Sequence, residues 1–172
     1  PLNHMPNSKF FPNGKVNSPA SITSITEIDS RTEYILNLIK ECYKCDRKIL
    51  VLTDRKSQCD FMYTQLKEHY SVGIYYVGMK QGNLKKSNEC RIILATYQMA
   101  SEGYDNPLLD TLILASPKGN VEQAVGRILR RENKNPALVI DINDCISVFN
   151  NWNRKRHSFY KSKKFTILFK TE

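Results

Sequence analysis

The sequence predicts an α/β fold, a single domain in which helices cover both faces of a parallel β-sheet. Its 172 residues are enough to bury one core without disulfide or metal crosslinks. Apolar and charged residues make up 41% and 25% of the chain, which is typical of a globular domain. Short, uninterrupted apolar runs alternate with segments of helical period, and such runs are typical of strands buried on both faces.

The elements follow in order along the chain. Residues 1–30 are rich in Pro, Asn and Ser, so they are expected to form an irregular leader or linker, with Phe10 and Phe11 able to dock on a domain spanning 31–172. A helix is predicted from Thr32 to near Cys45, with Ser30 or Thr32 as its N-cap. Further helices are predicted over 57–70, around Gln123 and over 144–163, and strands over 49–53, 73–77, 91–95, 111–115, 137–141 and, as a possible sixth, 166–169.

The positive charge is concentrated near the C-terminus. The net charge is +9, and from Cys145 onward seven Lys or Arg face one acid, an imbalance that favours a polyanionic partner. Aromatic residues interleave with these cations, as in binders of single-stranded nucleic acid. The candidate contacts are Arg154, Lys155 and Arg156. The alternative is that the aromatic residues pack the helix on the sheet while the charges face water.

Cysteines and apolar runs bear on location and metal binding. Five scattered cysteines predict free thiols in a reducing, intracellular compartment. Cys42 and Cys45 form a C-x-x-C with no second ligand pair, so no metal site is predicted. No apolar run has the length of a membrane span, and no partner in a membrane is expected.

The run 121–131 places three polar side chains on one face of a predicted helix. Gln123, Arg127 and Arg130 are spaced i, i+4 and i+7. Arginine suits a phosphate because its planar guanidinium is always charged. The opposite face is apolar at core-like spacing and comprises Val121, Val125, Ile128 and Leu129. Taken alone, the run also fits an ordinary amphipathic surface helix with a basic face.

A second run begins where the third strand ends. A hydroxyl at a strand end, such as that of Thr96, can hold a nucleic-acid phosphate. Gly103 allows close approach of the backbone to a ligand, and Asp105 can accept a hydrogen bond from a ribose hydroxyl. The alternative for this glycine-containing segment is a simple turn.

Together, three segments in fixed order resemble the second RecA-like domain of superfamily 2 helicases. Residues 49–55 resemble that family's motif IV, 95–107 its motif V and 121–131 its motif VI. The motif V segment is most similar to the XPB-like branch, particularly helicases of large cytoplasmic DNA viruses. The resemblance implies a RecA-like fold, and it implies the host cytoplasm or the virion as the location.

The resemblance also implies roles for individual residues. Arg130 would be an arginine finger on the γ-phosphate of ATP, Arg127 a second phosphate contact, and Gln123 a group that positions the nucleotide or the attacking water. Gly103 and Asp105 would line the nucleotide side. The strand contacts would be Thr96 and, as weaker candidates, Thr53, Arg55 and Lys80.

The chain lacks the phosphate loop of an ATPase. No G-x-x-x-x-G-K-[ST] is present, and the Leu138 to Asp144 run is interpreted as an ordinary strand end rather than a metal-binding motif. ATP and Mg²⁺ are therefore expected to bind an N-terminal RecA-like domain of the full-length protein, and this chain alone, a monomer, is expected to be inactive. The predicted partner is single-stranded or duplex DNA, or RNA.

Two alternatives compete with this interpretation, and the sequence argues against the second. A non-catalytic module could bind nucleic acid or a transcription partner without using ATP. A Rossmann-type enzyme would need a G-x-G-x-x-G after the first strand, and no glycine stands there.

Overall fold

The computed structural model describes residues 17–101, 106–129 and 135–170, and its centre is a five-stranded parallel sheet of order β2-β3-β1-β4-β5. Each of the first five predicted strands is confirmed, with bounds shifted by no more than two residues. The strands are β1 (Ile49–Thr53), β2 (Val72–Tyr75), β3 (Ile92–Thr96), β4 (Thr111–Leu114) and β5 (Leu138–Asp141).

The helices include all four that the sequence predicts. The first of these begins at Asp29, ahead of the expected caps Ser30 and Thr32, and its N-cap Ile28 makes no side-chain cap bond. Three more helices, α1, α4 and α5, were not predicted. The described helices are α1 (Ser18–Thr26), α2 (Asp29–Lys44), α3 (Lys56–Leu66), α4 (Gln81–Glu89), α5 (Tyr97–Ser101), α6 (Glu122–Ile128) and α7 (Ser147–Ser162).

Both faces of the sheet are covered by helices. On one face, Val51 and Leu94 pack with side chains of α2 and α3 such as Ile39 and Met62. On the other face, apolar residues of the same strands pack with α6 and α7, through Leu50, Leu52, Ile93, Leu112, Val125, Ile128 and Tyr160. Burial on both faces explains why β1 is apolar at consecutive positions instead of alternating. Within the described residues, no helix combines the length and the apolar character that a membrane crossing requires.

The expectation of an irregular segment over 1–30 is wrong for residues 17–30. Asn17 caps α1 by accepting a hydrogen bond from the Ala20 amide at 3.1 Å, and the proline of the first turn is compatible with a helix start. Ile22 and Ile25 of α1 are buried against Ile146 and Phe149. Phe10 and Phe11 lie outside the described residues.

The possible sixth strand over 166–169 is also wrong. After α7 the chain turns through Lys164, whose φ is 58°, and the Phe165 amide donates to the Tyr160 carbonyl at 3.0 Å. Residues 165–170 are irregular. Ile167 packs partly against the core, and Leu168 is exposed, so the segment lies on the domain surface without joining the sheet.

Candidate nucleic-acid and nucleotide interface

A groove of about 980 Å³ runs along the edge of the sheet where the strands end, and we call it the carboxyl-edge groove. Thr53 and Thr96 are register partners in the parallel pair β1–β3, so the segments that follow them lie side by side. In a parallel sheet this is the edge at which ligands gather. The groove is lined by Asp54, Arg55, Lys56, Val77, Thr96, Tyr97, Gln98, Lys118, Asn120, Glu122, Gln123 and Ala124.

The loop from β4 to α6, residues 115–121, forms part of the groove and is held from several sides. The Tyr97 hydroxyl donates to the Ser116 carbonyl at 2.7 Å, and the Asp54 amide donates to the Ser116 Oγ at 2.8 Å. Burial, and then the charge of Asp141, raises the pKa of Tyr97 well above its usual value, so this hydroxyl keeps its proton and remains a donor. The loop that leads into α6 is therefore held by Asp54, which follows β1, and by Tyr97, the first residue of α5.

A buried ion pair ties α2 to the same loop. Arg31 binds Asp144 through two hydrogen bonds, Nε to Oδ1 at 2.7 Å and Nη2 to Oδ2 at 2.8 Å. Its Nη1 donates to the Ala115 carbonyl at 2.7 Å. The side chains of this pair are 0% and 1% exposed, so both charges are satisfied inside the protein.

A second ion pair ties α7 to the loop. Arg156 binds both carboxylate oxygens of Asp141 at 2.7 and 2.8 Å, and its Nη1 donates to the Lys118 carbonyl at 2.7 Å. The Tyr160 hydroxyl donates to the same carboxylate at 3.0 Å, and burial followed by the charge of Asp141 raises the pKa of Tyr160. The prediction that Arg156 contacts nucleic acid is wrong, because its side chain is 2% exposed and fully engaged by Asp141 and the loop.

Helix α6 matches the predicted amphipathic pattern in part. Gln123 is exposed and lines the groove, while Val125 and Ile128 are buried in the core. Leu129, the C-cap of α6, is exposed, contrary to the pattern. Arg127, which was predicted on the same face of the helix as Gln123, is only 8% exposed.

Three of the predicted nucleotide contacts, Arg130, Gly103 and Asp105, lie outside the described residues. Their assignments stay predictions.

The strand-contact candidates differ in burial and in bonding. Thr96 lines the groove, although it is only 9% exposed. Thr53 is fully buried and its hydroxyl donates to Gln58 Oε1 at 2.6 Å, so its prediction as a strand contact is wrong. Arg55 is half-buried and holds α1, since its Nη2 donates to the Pro19 carbonyl at 2.8 Å and its Nε to the Thr23 hydroxyl at 3.0 Å. Lys80 is exposed just before α4.

The outer face of α7 presents Arg154 and Lys155, both exposed, beside a groove of about 700 Å³ between α7 and residues 119–122. The aromatic residues of α7 serve packing. Phe149 is buried in contact with α1, and the Trp152 ring lies 5.3 Å from it between centroids. The indole also packs against Gly119, where a Cβ would lie 3.4 Å from the ring.

Lys118 is a groove residue that the sequence reasoning missed. Its Nζ lies 3.3 Å from Asp54 Oδ1 and 5.0 Å from the centroid of the Tyr97 ring. Its position between the end of β4 and Gln123 was the available signal, because that segment had to lie at the carboxyl edge. Among the described residues, no group of three or more His, Cys, Asp or Glu is arranged to hold a metal ion.

Comparisons with known proteins cover the same segments. Residues 30–132 match the family model described as "Helicase conserved C-terminal domain". The chain is 39% identical over 165 residues to L396 of Acanthamoeba polyphaga mimivirus, whose name assigns it as an ATP-dependent RNA helicase. That alignment covers 90% of this chain and 32% of L396. The chain is also 25% identical over 178 residues to QP509L of African swine fever virus, whose name carries the same assignment. This alignment covers 90% of this chain and 35% of QP509L. The chain thus spans about a third of the length of these relatives.

Solved structures show the same fold. T4 UvsW superposes with a TM-score of 0.68 at 23% identity, over 96% of this chain and 38% of that one. Mss116p DEAD-box helicase domain 2, bound to an RNA duplex, superposes with a TM-score of 0.57 at 14% identity, over 84% and 60%. The architecture is therefore RecA-like, as predicted. The resemblance to the XPB-like branch stays a prediction.

Proposed function

This chain belongs to the helicase conserved C-terminal domain family, and from that premise we propose that it is the C-terminal motor domain of an ATP-dependent nucleic-acid helicase or translocase. One observation carries the proposal. Gln123 of the motif VI-like helix and Thr96 at the end of β3 line the same carboxyl-edge groove. A domain that links nucleotide state to strand binding needs these two kinds of group on one rigid edge.

The proposed ATP site is shared between two domains. The chain carries no phosphate-loop lysine, so ATP and Mg²⁺ would be held by an N-terminal RecA-like domain, and this chain alone would hydrolyse ATP negligibly. Arg130 would donate to the γ-phosphate and neutralise charge that develops during transfer. Gln123, which is exposed, would orient the nucleotide or the attacking water.

Arg127 is given a smaller role in phosphate binding than Arg130 in this proposal. Because its side chain is only 8% exposed within the chain, the larger direct contribution to phosphate binding is assigned to Arg130. Gly103 and Asp105 complete the nucleotide side of the proposed site.

The proposed strand contacts combine one residue of the carboxyl-edge groove with exposed cations that lie outside its lining. Thr96 would donate to a backbone phosphate, and Lys80, Arg154 and Lys155 would supply exposed charge to the polyanion. The names of L396 and QP509L assign them as RNA helicases, and Mss116p domain 2 was solved with an RNA duplex. These names support RNA as the first substrate to test, with DNA as the comparison.

The mechanical step follows from the shared site. Closure of the two domains around the nucleotide would assemble the site, and hydrolysis would release it. Because each domain grips the strand, each cycle of closing and opening would move one domain along the strand relative to the other.

The test uses the longer protein that contains both domains. Arg130→Ala should lower RNA-stimulated ATPase activity by about 10³-fold or more, the effect of removing an arginine finger. Arg131→Ala is the matched control, because it removes a neighbouring guanidinium that does not share the i, i+4, i+7 spacing; it should stay within a few-fold of wild type. Stimulated activity of Arg130→Ala within a few-fold of wild type would show that the finger assignment is wrong.

A non-catalytic nucleic-acid-binding module is the second candidate, and the burial of Arg127 favours it. It predicts strand binding that ignores ATP and ignores Arg130→Ala. Measuring strand affinity of the longer protein with and without ATP therefore separates the two functions.

A further inference from the structure

Lys118 stands in the carboxyl-edge groove on a fixed stretch of backbone. Its carbonyl oxygen accepts a hydrogen bond from Arg156 Nη1 at 2.7 Å, and the carbonyl of Ser116 accepts one from the Tyr97 hydroxyl at 2.7 Å. Arg156 is itself buried in its pair with Asp141. The main chain that carries Lys118 is therefore held in place, whereas the Lys118 side chain is 40% exposed in the groove.

The partner of Lys118 is exchangeable. Its ammonium has three donors, and among the described residues it contacts the carboxylate of Asp54, with Nζ 3.3 Å from Oδ1. Both side chains remain partly exposed, and an ion pair that keeps its contact with water adds little to stability. An incoming anion can replace the carboxylate without leaving a buried charge unpaired.

The other cations that line the groove are differently placed. Arg55 is engaged by the Pro19 carbonyl and the Thr23 hydroxyl of α1. Lys56 Nζ lies 5.3 Å from the centroid of the Tyr76 ring. Lys118 differs from Arg55 and Lys56 because it lies on the segment that leads into α6. It lines the groove together with Thr96 and Gln123.

We propose that Lys118 binds a backbone phosphate of a nucleic-acid strand lying in the carboxyl-edge groove, and that Asp54 holds its ammonium when no strand is bound. A strand fits better than a small anion because the groove has a volume of about 980 Å³ and crosses the segments after β1, β3 and β4. The inference rests on the proposed function and adds a phosphate contact and its internal competitor to it. Because residues 115–121 lead into α6, strand binding at Lys118 occurs on the same loop that places Gln123.

The test measures binding of a fluorescein-labelled oligouridylate to this chain by fluorescence anisotropy over a series of KCl concentrations. Lys118→Ala should weaken binding several-fold and reduce the magnitude of the slope of log K against log[KCl] by about 0.7, the value for one phosphate contact on a single strand. Lys44→Ala is the matched control, because Lys44 is exposed at the opposite edge of the sheet; it should leave affinity and slope unchanged.

Asp54→Asn should tighten binding several-fold in the wild-type chain and much less in the Lys118→Ala background, since a competitor matters only while its cation is present. Equal tightening in both backgrounds would show general repulsion and overturn the exchange. An unchanged affinity and salt slope for Lys118→Ala, or no binding by the wild-type chain at low salt, would overturn the phosphate contact.

Adding ATP to this chain should not displace the oligonucleotide, and displacement would reassign Lys118 to the nucleotide. The proposed motor function is judged separately by Arg130→Ala ATPase activity, so either idea can fail while the other stands.

Discussion

The two arginine–aspartate pairs, whose guanidinium groups are buried, and the Lys118–Asp54 pair use the same chemistry with cations of different exposure. Arg31 and Asp144 are 0% and 1% exposed, and the arginine also donates to a loop carbonyl. Lys118 and Asp54 are 40% and 22% exposed, and the ammonium keeps donors available to a ligand. The two arginine–aspartate pairs thus hold the backbone of residues 115–121, and the Lys118–Asp54 pair lies at the surface of that loop.

This difference teaches that burial, more than charge, separates the structural cations of this domain from the cations that we propose to bind a strand. Helix α7 makes the point within two positions: Arg154 is exposed, whereas Arg156 is buried against Asp141. The basic character of the helix is therefore a poor guide to which of its arginines meets a polyanion.

The largest effect is expected from Arg31→Ala. It leaves the Asp144 carboxylate buried without its partner, so it should lower the free energy of unfolding by about 3–5 kcal/mol, as measured by urea denaturation. Lys44→Ala, at the other end of the same helix, is the control and should change stability by no more than about 0.5 kcal/mol. A decrease in the free energy of unfolding below about 1 kcal/mol for Arg31→Ala would mean that the Arg31–Asp144 pair adds little to the stability of the domain.

A smaller loss is expected from Arg156→Ala, because Asp141 is 21% exposed and water can solvate the abandoned carboxylate. Removing hydrogen bonds to a charged group should lower the free energy of unfolding by about 1.5–3 kcal/mol. Arg154→Ala should leave stability within about 0.5 kcal/mol. In oligonucleotide binding the order should reverse, with Arg154→Ala reducing the salt slope and Arg156→Ala leaving it near wild type at temperatures where it stays folded. Equal effects of the two variants in both assays would break the distinction by burial.

Much of the fold could be predicted because its signals are local. Each strand of the sheet is built around a short apolar run, and α2 and α7 show helical periodicity strong enough to place them within a few residues. Helix α4 escaped prediction because its nine residues include one large apolar side chain, Leu84. Helix α1 escaped because Pro19 suggested irregular structure, although proline in the first turn is compatible with a helix.

The site was less predictable because its assignments depend on distant partners. Thr53 was a weaker candidate for a nucleic-acid contact, but its hydroxyl donates to Gln58 Oε1 inside the domain. Arg156 is buried by Asp141 and the Lys118 carbonyl, and no periodicity in α7 signals those contacts. Lys118 could have been found, since parallel strands bring the segment after β4 to the edge that carries Thr96.

The smallest effect concerns Arg55, whose side chain is half-buried, whereas the arginines of the two arginine–aspartate pairs are buried. Its Nε donates to the Thr23 hydroxyl at 3.0 Å, so Thr23→Val should lower the free energy of unfolding by about 0.5–1.5 kcal/mol in urea denaturation. Thr64→Val is the matched control, because the Thr64 hydroxyl donates to the Asp60 carbonyl one turn earlier in its helix, as the Thr23 hydroxyl does to the Pro19 carbonyl. Among the described residues, no arginine donates to the Thr64 hydroxyl. The difference between the two variants isolates the arginine contact. If Thr23→Val loses no more stability than Thr64→Val, Arg55 is not committed to α1, and its guanidinium belongs with Lys118 among the groups available to a strand.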